Sequence, residues 1–258
     1  MTDATGGPTA RGVELSDICL SFDTGGERLQ VLDNVSFAAP PESFVAILGP
    51  SGCGKSTTLK LVGGLLTADS GDLGVPDPSE IGFVFQTSRL LPWRTLHENL
   101  EIARTTRARI MKREFRNPIS HYLELAGLSD SADYYPRALS GGMQQRAAIA
   151  RAFSVEPSVL LMDEPFSSLD ELTARAQRGY LHEIYKKHRT TVLFVTHNPS
   201  EAITLATSIV VVSNRPATVI EHIPVDLPYP RRMDGPEAIE LQRHILGLLG
   251  VTDLAALA

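Results

Sequence analysis

The fold of this chain is decided by the stretch Gly49-Pro50-Ser51-Gly52-Cys53-Gly54-Lys55-Ser56-Thr57. Before it, an apolar run at residues 44–48 predicts a buried strand, and residues 55–66 predict a helix after it. A strand, a glycine turn and a helix start together form an anion site, because backbone N–H groups and the helix N-terminus face the ligand. We therefore interpret the pattern G-x-x-x-x-G-K-[ST] as a phosphate-binding loop rather than a turn that only joins strand to helix.

Each residue type in such a loop has its own task. We expect the backbone to surround a β-phosphate and Lys55 to reach the β- and γ-phosphates. Thr57 is expected to bond a neighbouring phosphate oxygen. Ser56 is expected to ligate Mg²⁺, since this cation prefers oxygen ligands. The stretch therefore predicts that the chain binds ATP with Mg²⁺.

A second glycine-containing segment is Leu139-Ser140-Gly141-Gly142-Met143-Gln144-Gln145. Ser140 stands at the N-cap position before a helical stretch, residues 141–153, and the glycines leave the first N–H groups open to close approach. An ordinary capped helix is the alternative interpretation. Because the first loop already supplies a lysine and a Mg²⁺ ligand, we expect two chains to pair head to tail. The Ser140 segment of one chain would then close over ATP held by Lys55 of the other.

A third segment, residues 159–165, reads Val-Leu-Leu-Met-Asp-Glu-Pro. Its apolar run predicts a central parallel strand, which delivers Asp163 and Glu164 at its carboxyl end, where ligands of open α/β sheets bind. We expect Asp163 to hold Mg²⁺ through its water shell and Glu164 to orient or deprotonate the attacking water. Two exposed carboxylates at a strand end are the alternative.

Length and composition restrict the number of domains, the partners and the cellular location that the chain can have. A chain of 258 residues can bury one α/β core with a subdomain but is too short for two such cores in one chain. No apolar stretch approaches the ~20 residues that cross a bilayer, and the N-terminus carries no signal-peptide pattern. The net charge of −6 without a long basic run argues against nucleic acid as a partner. Cys19 and Cys53 are expected to be reduced thiols, so the chain is predicted to be cytoplasmic.

The three segments resemble the Walker A, signature and Walker B motifs of the ATP-binding-cassette (ABC) ATPases. The resemblance runs from residue 13 to the C-terminus and implies an α/β fold. This fold is a P-loop NTPase (RecA-like) core with an N-terminal antiparallel β part and a helical signature subdomain. The implied organisation is a flexible N-terminus (1–12), a core in two parts (13–87 and 156–225), a helical signature subdomain (88–155) and a C-terminal extension (226–258). The interval 70–81 is shorter than in most relatives, so we expect the usual hairpin there to be cut down.

The resemblance also assigns roles to single residues. It implies that Glu164, His197 and Gln86 serve catalysis, that Gln86 also senses the membrane partner, and that the D-loop Ser168-Leu169-Asp170 crosses the dimer interface. Phe22 matches the aromatic residue that stacks on adenine, although its pattern fits a core strand residue equally well. The residues implied in nucleotide contact are Phe22, Gly49, Pro50, Ser51, Gly52, Cys53, Gly54, Lys55, Ser56, Thr57, Ser140, Gly141, Gly142, Gln144 and Asp170. Those implied in Mg²⁺ binding are Ser56, Gln86 and Asp163.

The segment that follows Gln86 reads Arg89-Leu90-Leu91-Pro92-Trp93. It either lines a groove that receives a short helix of a membrane permease or packs Leu91 and Trp93 inside the helical subdomain. Together with residues 213–216 and 226–231, this segment is similar to the ATPases of nitrate, sulfonate and taurine importers. Ala217-Thr218 departs from the pattern of that subgroup.

The resemblance therefore implies an importer ATPase that dimerises around ATP at the cytoplasmic face of the membrane. It implies a second ATPase subunit, as a homodimer, an integral membrane permease and, indirectly, an extracytoplasmic substrate-binding protein as partners. A soluble ABC ATPase without a transport role is one alternative. A small-molecule kinase is the other, but it leaves the Ser140 segment unexplained.

Overall fold

A computed structural model describes residues 11–188 and 190–250. Within these ranges the strands are β1 (Val13–Thr24), β2 (Glu27–Ala39), β3 (Phe44–Leu48), β4 (Ser70–Gly74), β5 (Ile81–Val84), β6 (Val159–Asp163), β7 (Thr191–Thr196), β8 (Ser208–Val212) and β9 (Val219–Pro224). The helices are α1 (Lys55–Val62), α2 (Leu96–Met111), α3 (Ile119–Leu125), α4 (Gly141–Ser154), α5 (Glu171–Lys187), α6 (Pro199–Leu205) and α7 (Pro236–Leu248).

The chain divides into two compact units. Residues 76–191 form the first, which we call the helical unit. Residues 12–75 and 192–250 form the second, which we call the sheet unit. The predicted domain boundaries stay a prediction, and nearly all of the predicted flexible N-terminus lies outside the described residues.

At the centre of the sheet unit is β3, whose five residues are all buried. It pairs in parallel with β7 on one side and β8 on the other, so that Leu48 lies opposite Thr196 and Val211. Burial of each such apolar side chain contributes roughly 1.5–3 kcal/mol. Because the register is matched, the loops after β3 and β7 leave from the same edge of the sheet. Strand β9 continues this sheet antiparallel to β8.

A separate antiparallel sheet, in the order β2-β1-β4, completes the strands of the sheet unit. In β1 the buried side chains are Val13, Leu15, Ile18 and Leu20. Their spacing of two is interrupted between Leu15 and Ile18, where the pairing with β2 shifts register and so keeps both pairs on the covered face. A single strand, β4, occupies the short 70–81 interval. Helix α1 ends earlier than predicted because Gly63 is its C-cap and Gly64 adopts a positive φ of 68°.

The helical unit contains the parallel pair β5 and β6, with Val84 opposite Met162. Helix α2 begins with a capping box, in which the Thr95 side chain accepts from the Glu98 N–H and Glu98 accepts from the Thr95 N–H. Helices α2 and α3 both pack against α4. In the described part of the chain, no helix combines the length and the apolar character needed to span a bilayer.

Arg231 and Tyr229 of the C-terminal extension bond the end of α6. The Arg231 guanidinium donates to the carbonyls of Ile203 (2.6 Å) and Ala206 (2.5 Å), and also to those of Val225 and Leu227 (3.1 Å each). Its plane lies over the Tyr229 ring, at 4.1 Å from the ring centre. The Tyr229 hydroxyl donates to the Leu205 carbonyl at 2.6 Å. Carbonyls at a helix C-terminus lack partners within the helix, so this contact satisfies groups that α6 leaves open.

Replacing Arg231 by Lys should lower the free energy of unfolding by about 2 kcal/mol, because a lysine ammonium cannot span the same four carbonyls. Urea-induced unfolding measures this loss. The neighbouring Arg232 is the matched control, since its side chain is 80% exposed and pairs with Asp234. Arg232→Lys should change the stability by less than about 0.5 kcal/mol. Equal losses in the two variants would contradict the role assigned to Arg231.

Candidate functional site

The phosphate-binding loop begins directly after β3. Gly54 has a φ of 120°, and a Cβ placed there would lie 2.9 Å from Val31 Cγ1 and 3.3 Å from the Val31 carbonyl oxygen, so the position requires glycine. The Lys55 side chain is 5% exposed, and its ammonium donates to the carbonyls of Gly49 and Pro50 at 2.8 Å each. Helix α1 starts at Gly54 without a side-chain cap. The loop therefore curves tightly around the Lys55 ammonium, which its own carbonyl groups bind.

His197 follows β7 and is exposed. Because β3 and β7 end side by side, His197 and Gly49 follow neighbouring strand ends of the sheet unit. The turn at His197 is fixed by Thr196, whose hydroxyl donates to Glu201 at 2.6 Å and accepts from the Asn198 N–H at 3.0 Å. Asn198 in turn caps α6 by accepting from the Ser200 N–H. The structure therefore brings the phosphate loop and His197 to one edge.

Phe22 lies near the end of β1, opposite Leu29 of β2. Its side chain is 36% exposed, so it is not the core strand residue that its pattern also allowed. Its predicted adenine contact stays a prediction.

In the helical unit, Val84 of β5 lies opposite Met162 of β6, so Gln86 and the pair Asp163-Glu164 follow neighbouring strand ends. Gln86 Nε2 donates to Ser167 Oγ at 3.1 Å, and the Ser167 hydroxyl donates to the Glu164 carbonyl at 3.0 Å. Glu164 has a φ of 41°, a left-handed conformation that costs a residue with a side chain roughly 1–2 kcal/mol. Strain of this kind at a strand end is typical of functional sites.

The start of α4 is capped as predicted, since Ser140 Oγ accepts from the Met143 N–H at 3.3 Å. Ser140 and Gly141 are exposed, whereas Gly142 is buried. The two glycines differ: a Cβ at Gly142 would lie 2.8 Å from Thr173 Cγ2 of α5, and one at Gly141 would meet no atom within 4 Å. Gly142 is therefore required by a helix–helix contact within the chain, and only Gly141 leaves open space.

Asp170 caps α5, the helix against which Gly142 packs. Its carboxylate accepts from the Thr173 N–H at 3.0 Å. The hydrogen bonds from Thr173 lower the pKa of Asp170, so this carboxylate is ionised at neutral pH. The predicted D-loop therefore ends in a fixed negative charge at the N-terminus of α5.

The Gln144 amide is engaged inside the chain. Its Nε2 donates to the carbonyls of Pro136 and Leu139, and its Oε1 accepts from the Ser88 hydroxyl at 3.3 Å. It thus ties the loop before α4 to the segment after Gln86. The nucleotide contact predicted for Gln144 stays a prediction.

Two residues that position the segment after Gln86 were missed from the sequence. Arg151 of α4 donates to the carbonyls of Ser88 (3.0 Å) and Arg89 (2.8 Å), and burial lowers the pKa of its guanidinium. Asn99 of α2 is fully buried and bonds both the N–H and the carbonyl of Leu91. No local pattern marks either residue, because each bonds backbone groups that only the fold brings near.

Trp93 is 69% exposed at the surface of the helical unit, so it does not pack inside it. Tyr134 and Tyr135 of the same unit are also exposed, and the Leu96 N–H donates to the Tyr134 carbonyl. Exposed aromatic side chains of this kind are common at protein–protein contacts. We call Trp93, Tyr134 and Tyr135 the aromatic patch.

The residues present fit Mg²⁺ that arrives with a nucleotide. Among the described residues, no group of three or more His, Cys, Asp or Glu side chains is placed to hold a metal ion. Mg²⁺ bound with phosphates needs only one or two protein oxygens and keeps several waters. Ser56 in the first turn of α1 offers such an oxygen in the sheet unit, and the Mg²⁺ contact predicted for Asp163 of the helical unit stays a prediction.

Comparison with known proteins points to one family. The sequence profile of the ABC transporter family matches residues 32–167. The aliphatic sulfonates import ATP-binding protein SsuB of Bacillus cereus is 36% identical over 240 residues, which cover 91% of this chain and 94% of that protein. A Brucella abortus protein named as ATP-binding is 43% identical over 218 residues, or 81% of each chain.

Two solved structures share the fold. The dimeric structure of MJ0796, a bacterial ABC transporter cassette, aligns with a TM-score of 0.69 at 30% identity and covers 83% of this chain and 98% of that chain. A dimeric post-hydrolysis state of the same cassette, bound to ADP and Pi, aligns with a TM-score of 0.69 at 29% identity over the same shares of each chain. With the P-loop NTPase α/β fold and the site above, these matches show that the chain belongs to the ABC transporter family, as one of its ATP-hydrolysing subunits.

Proposed function

We propose that this subunit powers an importer: two copies close around ATP, and the closure drives a separate membrane permease at the cytoplasmic face of the membrane. The observation that carries the proposal is the start of α4, where Ser140 and Gly141 are exposed next to a capped helix N-terminus. Such a start attracts phosphate. In the free chain it faces outward, as a surface that receives ATP from a second copy must.

The relatives support the transport role and a solute class. SsuB proteins of Bacillus cereus and Bacillus subtilis are named for aliphatic sulfonate import, and they are 36% and 35% identical to this chain. We therefore propose a small anionic solute, with sulfonates as the first candidates. A permease and an extracytoplasmic binding protein would select it, because the ATPase itself does not contact the cargo.

In this proposal the phosphate loop, residues 49–57, holds the phosphates. Lys55 exchanges its contacts with the loop carbonyls for phosphate oxygens, which are stronger acceptors. Ser56, Asp163 and Gln86 would hold Mg²⁺, which when bound neutralises charge on the phosphates. Phe22 would stack on the adenine ring through its exposed face.

Glu164 is the residue proposed to orient the attacking water, and His197 and Gln86 are proposed as further catalytic residues. Phosphoryl transfer depends mainly on positioning and charge stabilisation, and a strained, hydrogen-bonded Glu164 is well placed to supply the first. Asp170 and the rest of the D-loop would lie at the contact between the two copies. Reopening after hydrolysis would release the permease from its closed state.

Replacing Glu164 by Gln should lower the turnover number by at least about a hundredfold, because the amide cannot serve as a base. ATP-dependent pairing of subunits should persist, since the phosphate loop and the start of α4 are intact. Phosphate release and light scattering with ATP measure the two properties. Glu183→Gln, on the exposed side of α5, is the control and should behave as the wild type. A Glu164→Gln protein with full turnover would remove this assignment.

Gly141 offers a test of the α4 start that leaves the fold intact. Gly141→Ala should raise stability slightly, by up to about 1 kcal/mol, since the added methyl meets open space in a helix. It should nevertheless weaken ATP-dependent pairing and turnover, because the methyl group occupies the space into which the partner's phosphate must come. Gly179→Ala is the matched control, since Gly179 also lies in a helix with open space around it. If both variants hydrolyse ATP equally well, the α4 start is not a phosphate site.

The aromatic patch is proposed as part of the surface that receives the permease. Trp93 is the only tryptophan in the sequence, so fluorotryptophan incorporated into this subunit gives a single fluorine resonance. We expect that resonance to shift and broaden when unlabelled permease is added, because the exposed indole becomes buried. A resonance that stays unchanged in a complex formed at saturating permease would place the docking surface elsewhere.

A further inference from the structure

The hydroxyl of Ser167 joins two residues that the sequence patterns treat separately. It donates to the Glu164 carbonyl at 3.0 Å and accepts from Gln86 Nε2 at 3.1 Å. The Ser167 backbone N–H donates to the same Glu164 carbonyl at 3.3 Å. The donors and acceptors balance: the single hydroxyl proton goes to Glu164, and an oxygen lone pair receives the Gln86 amide.

The Glu164 end of this chain of bonds is a strained backbone. Glu164 has a φ of 41°, which residues with a side chain seldom adopt. Two donors from one residue fix its carbonyl, and with it the peptide plane that follows the carboxylate-bearing residue. The left-handed conformation persists only where the surroundings enforce it. Ser167 supplies part of that enforcement.

The Gln86 end belongs to a segment that the helical unit holds from the other side. Arg151 bonds the carbonyls of Ser88 and Arg89, and Gln144 bonds the Ser88 hydroxyl. The backbone that follows Gln86 is therefore bonded to α4, whereas the Gln86 side chain is bonded to the loop after β6. Ser167 is the residue of that loop to which the Gln86 side chain is bonded.

We propose that Ser167 is a positioning residue for ATP hydrolysis, which couples the Gln86 side chain to the backbone of Glu164 through its hydroxyl. A displacement of the segment after Gln86 would then reach Glu164 through two hydrogen bonds, the first from Gln86 to Ser167 and the second from Ser167 to the Glu164 carbonyl. This inference rests on the proposed function, in which Glu164 orients the attacking water and Gln86 responds to the membrane partner. Ser167 and Gln86 are exposed, so the coupling lies where a nucleotide and a partner can reach it.

The test compares three single variants by their steady-state ATPase kinetics. Ser167→Ala should lower kcat roughly tenfold and leave the KM for ATP within about twofold, because the phosphate-binding groups are untouched. Ser167→Thr keeps the hydroxyl and should retain most of the activity. Ser158→Ala is the matched control at the other end of β6, where the serine N–H and hydroxyl both donate to the Glu80 carbonyl. It should lower the thermal stability and leave kcat unchanged.

A double-mutant comparison separates coupling from a merely structural effect. If Ser167 acts through Gln86, Gln86→Ala and the Gln86→Ala, Ser167→Ala double variant should differ in kcat by much less than the tenfold effect of Ser167→Ala alone. Full additivity of the two changes would overturn the coupling. A Ser167→Ala protein with wild-type kcat, or a Ser167→Thr protein as slow as Ser167→Ala, would overturn the role of the hydroxyl.

The wild-type subunit and the Glu164→Gln variant test the proposed function separately from the role of Ser167. Wild-type subunit that releases no phosphate, or Glu164→Gln protein as active as the wild type, would overturn the proposed function and the role of Ser167 with it. Slow Glu164→Gln together with fast Ser167→Ala would overturn only the inference about Ser167.

Discussion

The burial of β3 between two parallel strands is the constraint on which the sheet unit depends. All five of its residues are buried, and β7 and β8 pair with it in matched register. A strand covered in this way can deliver a functional loop only at its end. The phosphate loop starts at that end. Gly54 of the loop packs against Val31 of β2, so the loop also contacts the antiparallel sheet. The register that buries β3 thus fixes the starting points of both the phosphate loop and the His197 turn.

The helical unit is organised differently, by side chains that bond backbone carbonyls. Gln144 and Arg151 project from α4 to the segment after Gln86, and Asn99 projects from α2 to the same segment. On the other side of α4, the van der Waals contact between Gly142 and Thr173 sets the distance to α5. The Gln144 contact links the segment 139–145 to the segment after Gln86. The motifs of this unit are therefore positioned by α4, which carries one of them itself.

The sequence allowed the local features of this structure to be predicted, and the reason is that they depend on near neighbours. The caps at Thr95, Ser140 and Asn198 follow from side chains that bond the next turn. The strand before the phosphate loop follows from its apolar run. Helix α5 likewise follows from local signals, because Asp170 caps its start and its apolar positions recur with helical spacing.

What could not be predicted depends on residues far apart in the chain. The sequence does not show that Gly142 is required by its contact with α5 whereas Gly141 faces open space, because this difference depends on where α5 lies. Nor does the sequence around Glu164 indicate the left-handed backbone of that residue. No local pattern marks the role of Arg231, yet two of its four carbonyl bonds, to Ile203 and Ala206, complete the end of α6. This contact sets a lower limit on the length of any shortened version of the chain. A truncation for crystallisation or for fusion to a reporter therefore has to keep Arg231 and Tyr229.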